Sequence, residues 1–262
     1  MRIYLKTPVS YYGGKQMMLK EILPLIPEHS LYCEPFCGGA AVFWAKEPSK
    51  VEVINDLNTE VINFYRVLKL HFDELYSLVQ STIHSRQLYD DARVISSNPH
   101  LFSEVKRAWA FWVNTSQSFS SIIGGGWAYA RKENTCEKKV DNAKLRFQEV
   151  FSNRLSRVQI ESQDALRVIK SRDSVDTFFY CDPPYPETDQ GHYTGYTQHH
   201  FNALLETLSN VKGRFLLSSF PNAELNKYAQ RFGWIQTEHS KNLCATKINK
   251  GKKKVEVLTR NY

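Results

Sequence analysis

The 262 residues are enough for one large α/β domain, or for a core domain with a sizeable insertion, with a full hydrophobic core and no need of staples. At 42% hydrophobic and 23% charged, without a low-complexity tract, the composition excludes a disordered chain, and no apolar run approaches membrane-spanning length. The net charge of +7 points to a polyanionic partner, and five cysteines scattered without CxxC pairs argue against a disulfide framework or a structural zinc site. The start, MRIYLKTPVS, lacks the apolar stretch of a signal peptide, so the expectation is a cytoplasmic, metal-free protein with reduced thiols, Cys33 and Cys181 packed in the core.

In chain order, SYYGGKQMMLKEILPLIP places two tyrosines and Gly13-Gly14-Lys15 just before a predicted amphipathic helix. SLYCEPF and KVEVIND read as short buried strands, separated by GGAAVFWAKEP, whose small and apolar residues before Pro48 suit a short helix. NTEVINFYRVLKL follows with helical spacing, and Asn58 or Thr59 can cap it. From about His71 to Phe151 the strand signal gives way to amphipathic pieces, FDELYSLVQSTI and EVKRAWAFWVNTSQ among them, interrupted by the loop-like IIGGGWAYARKENTCEKK. Strands return with RVQIESQD, VDTFFYCD, GRFLLSSF and the pair GWIQTEHS and KKVEVLTRNY. The expected fold is α/β: one mostly parallel sheet with helices on both faces, a terminal antiparallel hairpin, and a helical insertion at residues 71–150 dividing a core of residues 1–70 and 151–262.

Three acidic residues fall at predicted strand ends, Glu34, Asp56 and Asp182, where an open α/β sheet borders its ligand crevice. Gly38 and Gly39 let backbone approach a ligand closely, but EPFCGGA has neither GxGxxG nor a Walker lysine, so an adenosyl ligand without phosphate fits better than a nucleotide. Asp56 has two readings, a ribose acceptor or a helix cap before LNTEVINFY. In FFYCDPPYPETD two prolines remove two backbone donors and fix φ, so the strand ends in a stiff corner. That corner is either a simple strand exit or a carboxylate, carbonyls and an aromatic ring held around one flat polar ligand.

The ordered set YYGGK, EPFCGGAAVF, INDLN, a helical insertion, DPPY and EVLTRNY resembles the Dam-type, or alpha-group, DNA adenine-N6 methyltransferases of the D12 class, over nearly the whole chain outside residues 71–150. The resemblance implies a Rossmann-like S-adenosylmethionine-dependent sheet with an inserted target-recognition region. It implies that EPFCGG is the cofactor loop, with Glu34, Phe36 and Gly38 at the cofactor, that Asp56 binds the ribose and Asp164 the adenine, and that Tyr11 and Lys15 close over the ligand. Asp164 also reads as a helix N-cap. Asp182 and the Pro183 carbonyl would accept the hydrogens of the target amine while Tyr185 stacks on the base, without metal or covalent intermediate. The target adenine would be flipped out of duplex DNA. The implied activity is that of a site-specific adenine DNA methyltransferase, a monomer in a bacterial or phage-infected cell, associated with the nucleoid, with a cognate restriction endonuclease as a candidate partner.

The insertion is then the expected DNA-recognition region. Residues 131–157 hold eight Lys or Arg against four acids, and Arg131, Lys132, Lys138 and Lys139 are candidates for phosphates, beside Trp127 and Tyr129. Asn114 and Gln117 are candidates for reading base edges. The segment departs from the RYN-like loop of GATC enzymes, and a second basic stretch, KINKGKKK, falls in the predicted hairpin turn. Rival readings are an RNA or protein amino-methyltransferase, whose motif often carries Asn in place of Asp182, and a catalytically silent DNA-binding protein on the same fold. Cytosine-C5 chemistry is disfavoured, because Cys181 precedes Asp182 at a strand end and does not follow a proline.

Overall fold

Side chains alternating between two buried faces organise the centre of the molecule, whose computed structural model describes residues 4–186, 195–242 and 253–262. Near the start, 3-10 turns at Lys15–Met18 and Leu23–Leu25 flank a single turn, α1 (Leu19–Ile22). The continuous helix expected there is broken at Pro24, which has no N–H to donate back to Lys20. β1 (Leu31–Glu34), α2 (Ala41–Ala45), β2 (Val51–Asn55) and α3 (Thr59–Leu70) form the expected strand–helix–strand unit and its following helix. Asn58 caps α3 by accepting from Glu60 N at 3.0 Å.

The stretch expected as an insertion holds α4 (Phe72–Ser81), α5 (Arg86–Ser97), α6 (Glu104–Gln117) and α7 (Thr135–Arg146), and α8 (Val150–Leu155) follows at its boundary. The first residues of α7 lie in the stretch expected to be loop; only Val140 and Ala143 of this helix are buried, so its apolar periodicity is too thin to read. The chain returns to the sheet with β3 (Gln159–Glu161), α9 (Ala165–Arg172), β4 (Thr177–Cys181), α10 (Gln198–Ser209), β5 (Arg214–Ser219), α11 (Ala223–Phe232), β6 (Ile235–Asn242) and β7 (Lys253–Arg260).

The seven strands are ordered β3-β2-β1-β4-β5-β7-β6. β1 to β5 pair in parallel, and β7 is antiparallel to both its neighbours. The terminal hairpin is present, with β7 placed between β5 and β6. From β1 the chain builds outward to β2 and β3, then crosses back to β4, so a crevice opens at the C-terminal ends of β1 and β4. β7 runs the other way, and its register sets Leu258 beside Ser218 and Val257 beside Ser219. The preceding residue, Glu256, is thereby delivered to the same edge of the sheet.

Tyr32, Phe178, Tyr180, Leu216 and Leu258 face one buried cluster, and Cys33, Phe179, Cys181, Phe215 and Leu217 face the other. Cys33 and Cys181 are core residues, as expected from their apolar settings. The second cluster is covered by α9, α10 and α11 through Val168, Ile169, Phe201, Leu204 and Leu225. The first runs without a break into the inserted helices. Phe147, between α7 and α8, stacks on Phe72 at 5.9 Å and lies 6.5 Å from Phe64 and Trp112 and 6.3 Å from Phe151. The division at residues 71 and 150 is therefore one of sequence, because the packing crosses it. Among the described residues no helix is long and apolar enough to cross a membrane.

Phe147→Ala is expected to cost about 3–5 kcal/mol, by lost transfer energy and the cavity left behind. Since Phe147 ties the insertion to α3, thermal melts of both proteins should show one shared transition; a separate early transition would mean that the inserted helices unfold alone.

Candidate active site

A cleft of about 240 Å³ lies at the C-terminal ends of β1 and β4. Its walls are the turn from Tyr11 to Lys15, the loop from Glu34 to Val42, the residues Asp182 to Tyr185, and Tyr180 and Glu256. The β1 loop hangs from β2 and α3: Cys37 N donates to Asn55 O at 2.8 Å, Gly38 N to Asp56 Oδ2 at 2.8 Å, and Tyr65 OH to Gly38 O at 2.8 Å. Gly38 has φ +45°, and a Cβ there would come 2.8 Å from the Tyr11 ring; one on Gly39 would come 2.8 Å from Tyr11 Cβ. Glycine at these two positions seats the Tyr11 ring against the loop.

Glu34 ends β1 at 1% exposure and accepts from Tyr32 OH at 2.5 Å and Phe43 N at 2.8 Å. Burial pushes its carboxyl up to about 8, although both hydrogen bonds oppose the shift. Opposite it stands a buried charged cluster. Lys15 Nζ pairs with Asp182 Oδ1 at 2.8 Å and Glu256 Oε1 at 3.1 Å, and donates to Gly13 O at 3.3 Å. Tyr185 OH donates to Glu256 Oε1 at 2.5 Å and lies 3.1 Å from Asp182 Oδ1, while Ser218 Oγ donates to Glu256 Oε1 at 2.8 Å.

Burial raises Asp182 above the usual carboxylate value and the Lys15 ammonium pulls it back down in part. For Glu256 burial also acts upward, but Lys15, Tyr185 and Ser218 outweigh it and the carboxyl is held low. Burial works against the Lys15 charge, yet the two carboxylates more than compensate, and its pKa lies above the ordinary lysine value. The Tyr185 ring sits 5.1 Å from Lys15 Nζ and 4.2 Å from the Phe220 ring.

Tyr11, Lys15, Glu34, Phe36, Gly38, Asp182, Pro183 and Tyr185 are thus brought together as expected from sequence. Asp56 and Asp164 stand elsewhere. Asp56, 5% exposed, spends one oxygen on Gly38 N and the other on Asn58 N at 2.9 Å, so it holds the loop from behind and is absent from the cleft wall. It does not cap α3, which is capped by Asn58. Asp164 is exposed and caps α9 by accepting from Arg167 N at 3.0 Å, away from the cleft.

In the insertion, Asn114 and Gln117 are buried at 2% and 1% and do not present their amides to solvent. Asn114 Nδ2 donates to Ser96 Oγ at 2.8 Å; Gln117 donates to Ile83 O at 2.9 Å and accepts from Ser85 N and Trp127 Nε1, both at 3.2 Å. The expectation that they read bases is corrected, because Asn114 is turned into α5 and Gln117 is enclosed between residues 83–85 and Trp127. Trp127 stacks on His84 at 4.6 Å and on Tyr129 at 5.9 Å, with the Arg86 guanidinium 4.7 Å from the Trp127 ring. Tyr129, Arg131, Lys132 and Lys138 are exposed, whereas Lys139 is half-buried and donates to Ser121 Oγ at 3.2 Å. Arg154, also in the basic run, pairs internally with Glu52. The stretch KINKGKKK lies, up to residue 252, outside the described residues.

Glu256, Ser218, His84 and Arg86 were not among the sequence candidates. A signal for Glu256 existed, since it shares strand parity with the buried Leu258 in VEVLTR, and an acid on the inward parity of a strand asks for a partner.

Residues 11–243 match the family described as D12 class N6 adenine-specific DNA methyltransferase. The chain belongs to this family. It is 31% identical over 213 residues to the type II methyltransferase M1.LlaDCHI of Lactococcus lactis subsp. cremoris, a match covering 77% of this chain and 73% of that protein. It is 27% identical over 192 residues to the DNA N-6-adenine-methyltransferase of Escherichia phage P1, covering 72% of this chain but 25% of the phage protein. The modification methylase StsI of Streptococcus sanguinis is 38% identical over 64 residues, 24% of this chain and 10% of that one.

The raised Glu34 sets a direction of pH dependence. The folded chain holds a proton on Glu34 up to about pH 8 that the unfolded chain loses near the ordinary carboxylate value, so this group lowers stability as pH rises through that window. Glu34→Gln, which still accepts from Tyr32 and Phe43, should therefore gain in melting temperature over the parent at pH 8.5 relative to pH 5; an equal difference at both pH values would count against a protonated Glu34.

Proposed function

We propose that the protein transfers a methyl group from S-adenosylmethionine to the exocyclic N6 amine of an adenine flipped out of duplex DNA. The observation that carries this reading is the disposition of Asp182. Lys15 and Tyr185 both reach its Oδ1, and among the described residues no hydrogen bond is made to Oδ2; Pro183, next in the chain, lines the same cleft. Oδ2 and the Pro183 carbonyl suit the two hydrogens of an amine.

The cleft suits the cofactor by charge. Asp182 and Glu256 share one ammonium, Lys15, and this imbalance makes the wall favour a cationic adenosyl ligand over one bearing phosphates. Glu34 and Phe36 would border it, the bare Gly38 backbone would let it approach, and Tyr11 would cover it. Asp56 acts on this ligand through Gly38, whose N–H it holds. When bound, S-adenosylmethionine supplies an activated methyl on a sulfonium whose electron pair stays with sulfur. Asp182 and the Pro183 carbonyl draw on the amine hydrogens, favouring localisation of a lone pair otherwise spread into the ring, with charged hydrogen bonds worth about 1.5–3 kcal/mol each. Alignment of the amine contributes more, roughly 7–11 kcal/mol when geometry is fixed. The nitrogen gains the methyl and a positive charge, then loses one hydrogen as a proton to solvent. Tyr185 stacks on the extruded base, offsetting the few kcal/mol of unstacking by about 1–3 kcal/mol.

In this reading residues 1–70 and 151–262 carry catalysis and residues 71–150 target recognition, with Trp127, Tyr129, Arg131, Lys132 and Lys138 toward DNA. The protein acts as a monomer, and the names of two relatives, a type II methyltransferase and a modification methylase, make a cognate restriction endonuclease the partner to seek.

Incubation with labelled cofactor and mixed-sequence duplex should yield N6-methyladenine, and Asp182→Ala should abolish it while keeping DNA affinity within about threefold. Label in RNA or protein, with unlabelled DNA, would overturn the reading. DNA affinity should fall with salt at a slope of about −0.9 per neutralised phosphate, and Arg131→Ala should make that slope shallower by about one. An unchanged slope would remove Arg131 from the phosphate contacts.

A further inference from the structure

We infer that Glu256 is a positioning residue for methyl transfer, anchoring the Tyr185 hydroxyl and the Lys15 ammonium so that Asp182 presents a single ionised oxygen, Oδ2, to the target amine. The inference rests on the function proposed above and deepens it, because Glu256 touches none of the reacting atoms.

Donor counting carries the argument. Lys15 has three ammonium hydrogens and three acceptors, Asp182 Oδ1, Glu256 Oε1 and Gly13 O. Tyr185 has one hydroxyl hydrogen, and of its contacts with the two carboxylates the shorter, 2.5 Å, is to Glu256, against 3.1 Å to Asp182 Oδ1. Ser218 adds a third donor to Glu256 Oε1 at 2.8 Å. Glu256 thus draws the Tyr185 hydrogen away from Asp182 and shares the ammonium with it. Without its carboxylate both donors fall to Asp182 Oδ1, and a carboxylate tied by two strong donors is a poorer acceptor for an amine.

Charge points the same way. Two carboxylates around one ammonium leave the cluster with an excess negative charge, in a site where the amine becomes positive during transfer. The charged and titratable groups facing Asp182 are Lys15 from the N-terminal turn, Glu256 from β7, Glu34 from β1, Tyr180 and Cys181 from β4, and Tyr185 from its own loop. Of these, the negative charge of Glu256 works to raise Asp182, and removing it should let Asp182 ionise at lower pH.

The test compares the parent with Glu256→Gln and Glu256→Asp in single-turnover methylation of duplex DNA, alongside a titration of the Asp182 carboxyl by carbon-13 NMR, assigned through its loss in Asp182→Asn. For Glu256→Gln the single-turnover transfer rate at saturating cofactor should fall at least about tenfold with DNA affinity little changed, and both the Asp182 titration and the acid limb of the rate profile should move to lower pH. Glu256→Asp keeps the charge but shortens the reach, so it should slow transfer and leave the Asp182 titration near the parent's; it also carries the test if Glu256→Gln fails to fold. Unchanged transfer rates in the folded variants would overturn the positioning role, as would an Asp182 titration indifferent to Glu256→Gln. If the parent methylates no adenine, the proposed function fails by itself, while the NMR titration still decides whether Glu256 governs Asp182.

Discussion

One buried ammonium joins three distant parts of the chain. Lys15 comes from the N-terminal turn, Asp182 from the end of β4 and Glu256 from β7, and their contacts of 2.8 and 3.1 Å place all three at one point on the sheet edge. Removing such ions from water costs several kcal/mol apiece, so a cluster of this kind persists only where every partner is supplied. Here the partners are supplied by the Gly13 carbonyl, the Tyr185 hydroxyl and the Ser218 hydroxyl. Loss of any one charge leaves the others short of a partner in a largely buried site.

The rest of the cleft is organised to leave that cluster undisturbed. The β1 loop is held from behind by Asp56 and Tyr65, both outside the cleft wall, with Tyr11 packed against Gly38 and Gly39. Burial raises the Glu34 carboxyl to about 8, so near neutrality it adds little to the negative charge of Asp182 and Glu256, and a cation beside it would favour its charged form.

Much of this was legible in sequence, for physical reasons. Parallel strands buried on both faces read as short apolar runs, and β1, β2, β4 and β5 fall where SLYCEPF, KVEVIND, VDTFFYCD and GRFLLSSF place them. Prolines cannot extend a parallel strand, so the end of β4 before Asp182 was also fixed by local chemistry. What escaped depends on contacts between distant segments. Glu256 reaches the site only because β7 pairs antiparallel beside β5, a register no local pattern specifies. Asn114 and Gln117 look like an exposed polar helix end until α5 packs on Asn114 and residues 83–85 and Trp127 close on Gln117. Asp56 and Asp164 each allow two readings in sequence, a ligand contact or a helix cap; Asp164 proves to be the N-cap of α9, and Asp56 accepts from the Gly38 and Asn58 N–H groups.

The aromatic cluster around Phe147 constrains how segments of this fold can be exchanged between relatives. Cutting at residues 71 and 150 would sever Phe147 from Phe64 and Phe151 and leave two half-filled surfaces. A chimera must carry α3 and α8 with the graft, so this stretch is inherited in a larger block than residues 71–150, whereas the exposed side chains of Tyr129 and Arg131 can change without disturbing that packing.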